Sequence, residues 1–145
     1  MYKKIKLILS IFLFINFFNL LSAEENFFDE AKNKFNEKKL EDSKFLFQRN
    51  IVFNPKDAKS YMYLAKIYNL EENEVEEEKY LNTTLLLESE NEEAMYMLIN
   101  IYLKRSNYSK IKELKNNFAI ICSNLCDKTK IIDEALKNIE PENES

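Results

Sequence analysis

Tyr61-Met62-Tyr63-Leu64-Ala65-Lys66-Ile67-Tyr68 and Met95-Tyr96-Met97-Leu98-Ile99-Asn100-Ile101-Tyr102 carry one pattern of apolar and aromatic positions written twice, 34 residues apart. Within the first copy Tyr61, Leu64, Ala65 and Tyr68 recur at three- and four-residue steps, the spacing that lines one face of an α-helix. Asn69 to Asn73 breaks the pattern and supplies a turn. From about Val75 to Leu87 a second helical stretch follows, with Leu81, Thr84 and Leu85 on one side and an acidic start that suits the positive end of a helix dipole. Residues 58–91 therefore read as a helical hairpin. A fixed period of this length means one unit, unable to bury its apolar face alone, stacked on copies of itself.

Working outward, residues 92–125 repeat the arrangement through Met95, Leu98, Ile99 and Tyr102, a turn at Arg105-Ser106-Asn107, then Tyr108, Ile111, Leu114, Phe118 and Ile121. Residues 24–57 supply Phe27, Ala31 and Phe35, a turn near Glu37 to Lys39, then Leu40, Ser43, Phe47, Ile51 and Phe53 before Asn54-Pro55. Residues 126–140 form a further helix whose stripe is Ile131, Ile132, Ala135, Leu136 and Ile139. Such a helix covers the exposed apolar end of a stack. Residues 141–145 are a polar tail. The chain of 145 residues has no Gly, no Trp, no His and two Pro. Hairpin turns between strands commonly use Gly, so the fold class is all-α, with corners built from Asn, Ser, Lys and Pro.

These units resemble the tetratricopeptide repeat family. In the first, Ala31 stands where the family has a small residue, Leu40 at the start of the second helix, Ser43 at a small contact point, Phe47 at an aromatic site and Pro55 at the closing proline. Leu64, Ala65 and Tyr68 carry the match in the second unit. The departures are Glu77 for a small residue, Ile99 and Ile111 for small residues, and Lys115 for an aromatic. The resemblance implies a right-handed solenoid of three hairpins plus the capping helix. It also implies a concave groove lined by the first helix of each hairpin: Phe28, Lys32 and Phe35, then Lys59, Met62, Lys66 and Asn69, then Tyr96, Asn100 and Leu103. At the 34-residue interval Lys32, Lys66 and Asn100 form a polar column, and Phe28, Met62 and Tyr96 an apolar one. Such a groove could hold a peptide on apolar anchors while the lysines pair with a carboxylate. The competing reading packs Phe28, Met62 and Tyr96 between hairpins.

Residues 1–23 differ in kind. Lys3, Lys4 and Lys6 precede an apolar run from Leu7 to Leu21, and Ser22-Ala23 gives way to Glu24-Glu25, the order of a secretory signal helix cut after Ala23. The alternative is an uncleaved anchor in the inner membrane through residues 7–23, although the run falls short of the roughly 20 apolar residues that span a bilayer. Either way the remainder is exported, and periplasmic if the signal is cut. Cleavage removes Lys3, Lys4 and Lys6 and no acid, moving the net charge from −4 to −7. So acidic a chain is poorly suited to the phosphate backbone of nucleic acid, which clustered Lys and Arg recognise.

Chemistry has little to work with. There is no His to act as a base near neutral pH, no Gly-rich phosphate loop and no metal-ligand spacing, so neither a cofactor nor catalysis is expected. Cys122 and Cys126 are the only thiols. In an exported protein they could be bridged, fixing the corner into the capping helix, or stay reduced and packed, or be redox-active. The expectation for the whole chain is a non-enzymatic adaptor of the cell envelope that binds a protein or peptide, as a monomer or within a hetero-complex. The alternative is a permanent subunit of a larger envelope assembly, such as an outer-membrane or motor-associated complex.

Overall fold

The computed structural model describes residues 27–139. The segment read from the sequence as a signal, the first residues of the 24–57 unit, the last residue of the expected cap and the C-terminal residues 141–145 lie outside the described residues. Among the described residues seven helices follow in order: α1 Phe27–Asn36, α2 Leu40–Phe53, α3 Ala58–Leu70, α4 Glu74–Leu87, α5 Glu92–Lys104, α6 Tyr108–Ile121 and α7 Lys128–Ile139. Among the described residues there is no strand. The architecture is the all-α solenoid expected from the periodicity, a tetratricopeptide-like stack of helical hairpins with a terminal helix against its last unit. Helices α2, α4 and α6 start at Leu40, Glu74 and Tyr108, so the 34-residue interval of the sequence is the interval of the structure.

The corners explain how a chain without glycine turns. Lys38, Glu72 and Ser106 stand at the same place in each hairpin, each in the left-handed region with φ of 60°, 57° and 51°. Each is followed by the same pair of backbone bonds, for example Lys39 N–H to the Lys34 carbonyl and Lys38 N–H to the Phe35 carbonyl. This is a Schellman closure, which satisfies the last carbonyls of the first helix. A side chain there costs roughly 1–2 kcal/mol relative to glycine, which is repaid by the packing that follows. At the next helix start Asn73 and Asn107 accept the N–H of Glu76 and Lys110, and Asn91 accepts that of Ala94. Each occupies a donor that the helix leaves without a partner.

Three apolar clusters run along the stack. The first joins Phe27, Ala31, Leu46 and Phe47 to Leu64 and Ile67 of α3. In the second Met62 and Ala65, from other faces of α3, meet Leu81, Ala94, Leu98 and Ile101. The third unites Met95, Ile99, Ile111 and Phe118 with Ile132 and Leu136 of α7. Each unit is thus buried against its neighbour, as a solenoid requires. The small residues matter where helices of one hairpin cross. Ser43 donates to the Ala31 carbonyl at 2.9 Å, a backbone contact only small side chains permit. Ile99 and Ile111 hold the corresponding helices of the third hairpin apart, and that hairpin packs less closely than the first two. Lys115, at the position of buried Phe47 and Leu81, instead pairs with Asp133 of the terminal helix.

The junctions between hairpins carry a charge-swapped pair. Lys44 bonds Glu71 at 2.7 Å, and one period later Glu78 receives Arg105 at 2.6 Å. Exposed pairs contribute only about 0.2–1 kcal/mol each, yet the inversion means that a unit paired with the wrong neighbour would oppose like charges. Order in the stack is thereby favoured as well as stability.

Candidate functional site

An open cleft of about 370 Å³ lies along the first helices of the hairpins. Phe35 of α1, Leu70 of α3, and Met97 and Ile101 of α5 form its apolar walls. Lys66, Asn69, Asn100 and Lys104 supply donors, and Glu77 and Glu93 supply carboxylates. The helical step explains the set. Lys66, Asn69 and Leu70 fall on one face of α3, as do Glu93, Met97, Asn100 and Lys104 on α5.

The charges are arranged unequally. Lys66 Nζ is 2.8 Å from Glu93 and 5.3 Å from the centre of the Tyr63 ring, so this lysine is already paired within the protein. Glu77 sits deeper, only 3% exposed. Its Oε1 accepts the Asn69 amide N–H at 3.0 Å. Burial pushes its carboxyl above the ordinary range, opposed by that hydrogen bond and by the more distant charge of Lys104, with Glu74 adding to the rise.

Of the residues assigned to a groove from the sequence, the structure brings Phe35, Lys66, Asn69 and Asn100 to this cleft. Met62 is a correction: it is 5% exposed, in the second apolar cluster. Helix α3 has hairpins on both sides, so one apolar stripe cannot serve it, and the face carrying Met62 and Ala65 is taken by α5. Phe28 packs edge-on against Phe47 and Tyr63, and Tyr96 lies against Phe118, so the apolar column is inter-helix packing. Leu103 packs on the third cluster. Lys32 and Lys59 are exposed but do not line the cleft. The lysine clamp imagined for a ligand carboxylate is therefore reduced to Lys66, which Glu93 already holds.

Sequence reasoning missed Leu70, Glu77, Glu93, Met97, Ile101 and Lys104 as lining residues. One signal for Glu77 was present: it replaces a small residue at the register of Ser43 and Ile111.

A second constellation closes the stack. Cys122 and Cys126 are joined by a disulfide, with Cα atoms 5.2 Å apart. The loop between them wraps the carboxylate of Glu92, at the start of α5. The backbone N–H groups of Ser123, Asn124 and Leu125 donate to Oε2 at 2.8, 3.1 and 3.1 Å, and the Asn124 side chain donates to Oε1 at 2.8 Å. These bonds, led by Ser123 N–H, hold the Glu92 carboxyl down to about 2. Bridge and carboxylate together anchor the corner that leads into α7. No group of three or more His, Cys, Asp or Glu among the described residues is placed to hold a metal ion.

No family model and no curated protein matches the chain. Solved structures do share its fold. The type III secretion chaperone SycD of Yersinia enterocolitica, in complex with a peptide of the translocator YopD, superposes with a TM-score of 0.68 at 13% identity, covering 80% of this chain and 91% of that one. SycD solved as the translocator chaperone gives 0.67 at 13% identity, covering 80% and 82%. A CopN–Scc3 complex gives 0.62 at 16% identity, covering 81% and 70%. At these identities the likeness is one of fold.

Proposed function

We propose that this chain is a non-catalytic adaptor that holds a segment of a partner protein in the cleft between α3 and α5. The observation that carries the reading is the cleft itself, where apolar walls from three first helices stand beside amide and charged groups, the mixture that fixes a peptide side chain by side chain. The fold shared with a chaperone solved with a bound peptide supports it. The order of residues 3–23, basic then apolar then small, supports export and a place in the cell envelope.

The test is crosslinked pull-down from intact envelopes with the wild-type chain and with Leu70→Asp, a change at an exposed wall residue that should leave helicity intact. Partners captured by the wild type should be lost with the variant. Unchanged capture with an unchanged circular dichroism spectrum would refute the cleft as the binding site. N-terminal sequencing of the mature protein tests export, for which Glu24 should be the first residue.

One observation favours a second reading, a permanent subunit of a larger assembly. Val52, Leu86 and Ile120 occupy one register position on the second helices and are 76%, 84% and 81% exposed. Gel filtration of native extracts separates the two readings: an adaptor runs partly free, a subunit only in a large complex.

A further inference from the structure

Glu77 is a cleft residue whose carboxylate the fold does not require. At its register Ser43 closes a helix crossing through the Ala31 carbonyl and Ile111 fills an apolar core. Glu77 is as buried as they are, yet it brings a carboxylate. One oxygen accepts from Asn69. The other accepts no hydrogen bond from the described residues, and among these every side-chain nitrogen or oxygen fully sealed from solvent has a partner, so this second oxygen opens on the cleft that Glu77 lines. Lys104 acts on it only across a distance, without an ion pair. A buried carboxylate with an open acceptor attracts a donor that carries positive charge.

The apolar walls of the same cleft narrow the class of donor. Phe35, Leu70 and Met97 are apolar, which suits an aliphatic stem with its charge at the tip. The other carboxylate of the cleft, Glu93, is occupied by Lys66. Resting on the adaptor reading, we propose that the cleft selects partner segments through one basic side chain, arginine or lysine. Its stem lies against Phe35, Leu70 and Met97, and its head group donates to the carboxylate of Glu77. Lys104 is then the built-in competitor for that carboxylate, repelling an incoming cation until it is displaced.

The experiment measures binding of a short fluorescent peptide, alternating leucine and serine with a central arginine, to the full chain by anisotropy. The control replaces arginine with citrulline, which has the same shape and no charge. The arginine peptide should bind at least about tenfold tighter, the discrimination expected of a charge-assisted bond. Glu77→Gln should bring the two affinities together, with a circular dichroism melt confirming that the variant is folded. Lys104→Met should tighten the arginine peptide and leave the citrulline peptide unchanged. Equal affinities in the wild type, a preference that survives Glu77→Gln, or no binding of either peptide would overturn the proposal. Displacement by cadaverine at concentrations equal to the peptide would overturn it too, by assigning the pocket to a free amine. If both peptides bind equally and both weaken with Leu70→Asp, the cation subsite fails while the cleft stands as a peptide site.

Discussion

Truncating Phe118 to alanine tests the stack at its most dependent point. Phe118 is fully buried on α6 and shares a cluster with Met95 and Ile99 of α5 and Ile132 and Leu136 of α7, while Tyr96 lies 6.1 Å away, ring centre to ring centre. Removing a fully buried phenylalanine costs about 3–5 kcal/mol, more where the site cannot collapse. Ile99 and Ile111 already hold α5 and α6 apart, so collapse is resisted and the upper half of that range is expected. A domain of this size is stable by about 5–15 kcal/mol. The loss should nevertheless be local, because a unit in a solenoid leans only on its neighbours. Urea unfolding gives the total, and hydrogen exchange read by mass spectrometry gives its distribution. Residues 108–139 should lose protection while residues 27–53 keep theirs. Phe118→Leu, which leaves a smaller void, should cost less than half as much. A loss below about 1 kcal/mol, or protection lost equally along the chain, would refute both the packing argument and the locality argument.

Other perturbations address single features. The Glu92 carboxyl, held at about 2 against an ordinary 4.5, contributes stability that is present above 4.5 and lost as pH falls toward 2. Glu92→Gln should therefore flatten acid unfolding in that window, and an unchanged acid profile would refute the role of the loop. Glu77 has the opposite sign. Its carboxyl is raised by burial, so its contribution is greatest below the ordinary 4.5 and is lost as pH rises through the folded value. Glu77→Gln should remove that loss, seen as a smaller fall in melting temperature between acid and neutral pH. Mass spectrometry of alkylated protein should find no free thiol until reductant is added, and reduction should raise exchange first in residues 122–139. Ser106→Gly, at φ 51°, should stabilise by up to about 1 kcal/mol in thermal melts, since glycine carries no penalty in the left-handed region.

Much of the fold is legible in the residues themselves. Apolar spacing within each helix is a local property, and a 34-residue recurrence of that spacing is enough to place α2, α4 and α6. The corners were half legible. Absence of glycine pointed to other turn residues, but that Lys38, Glu72 and Ser106 all take left-handed backbone follows only from the closed hairpins. At the cleft, Phe35, Lys66, Asn69 and Asn100 were legible because the family resemblance assigns groove positions to the first helix of each hairpin and the 34-residue period carries them from unit to unit. Met62 could not, since its burial depends on α5 arriving against a second face of α3.

By itself the sequence determined an all-α chain of stacked hairpins with a terminal helix, because helix periodicity and repeat length are written along the chain. Only the tertiary structure decided which faces remain open. A side chain's exposure depends on how many neighbours its helix acquires, and α3 acquires them on both sides. The same dependence placed Glu77 beneath a cleft, wrapped the 122–126 loop around Glu92, and left Val52, Leu86 and Ile120 facing outward.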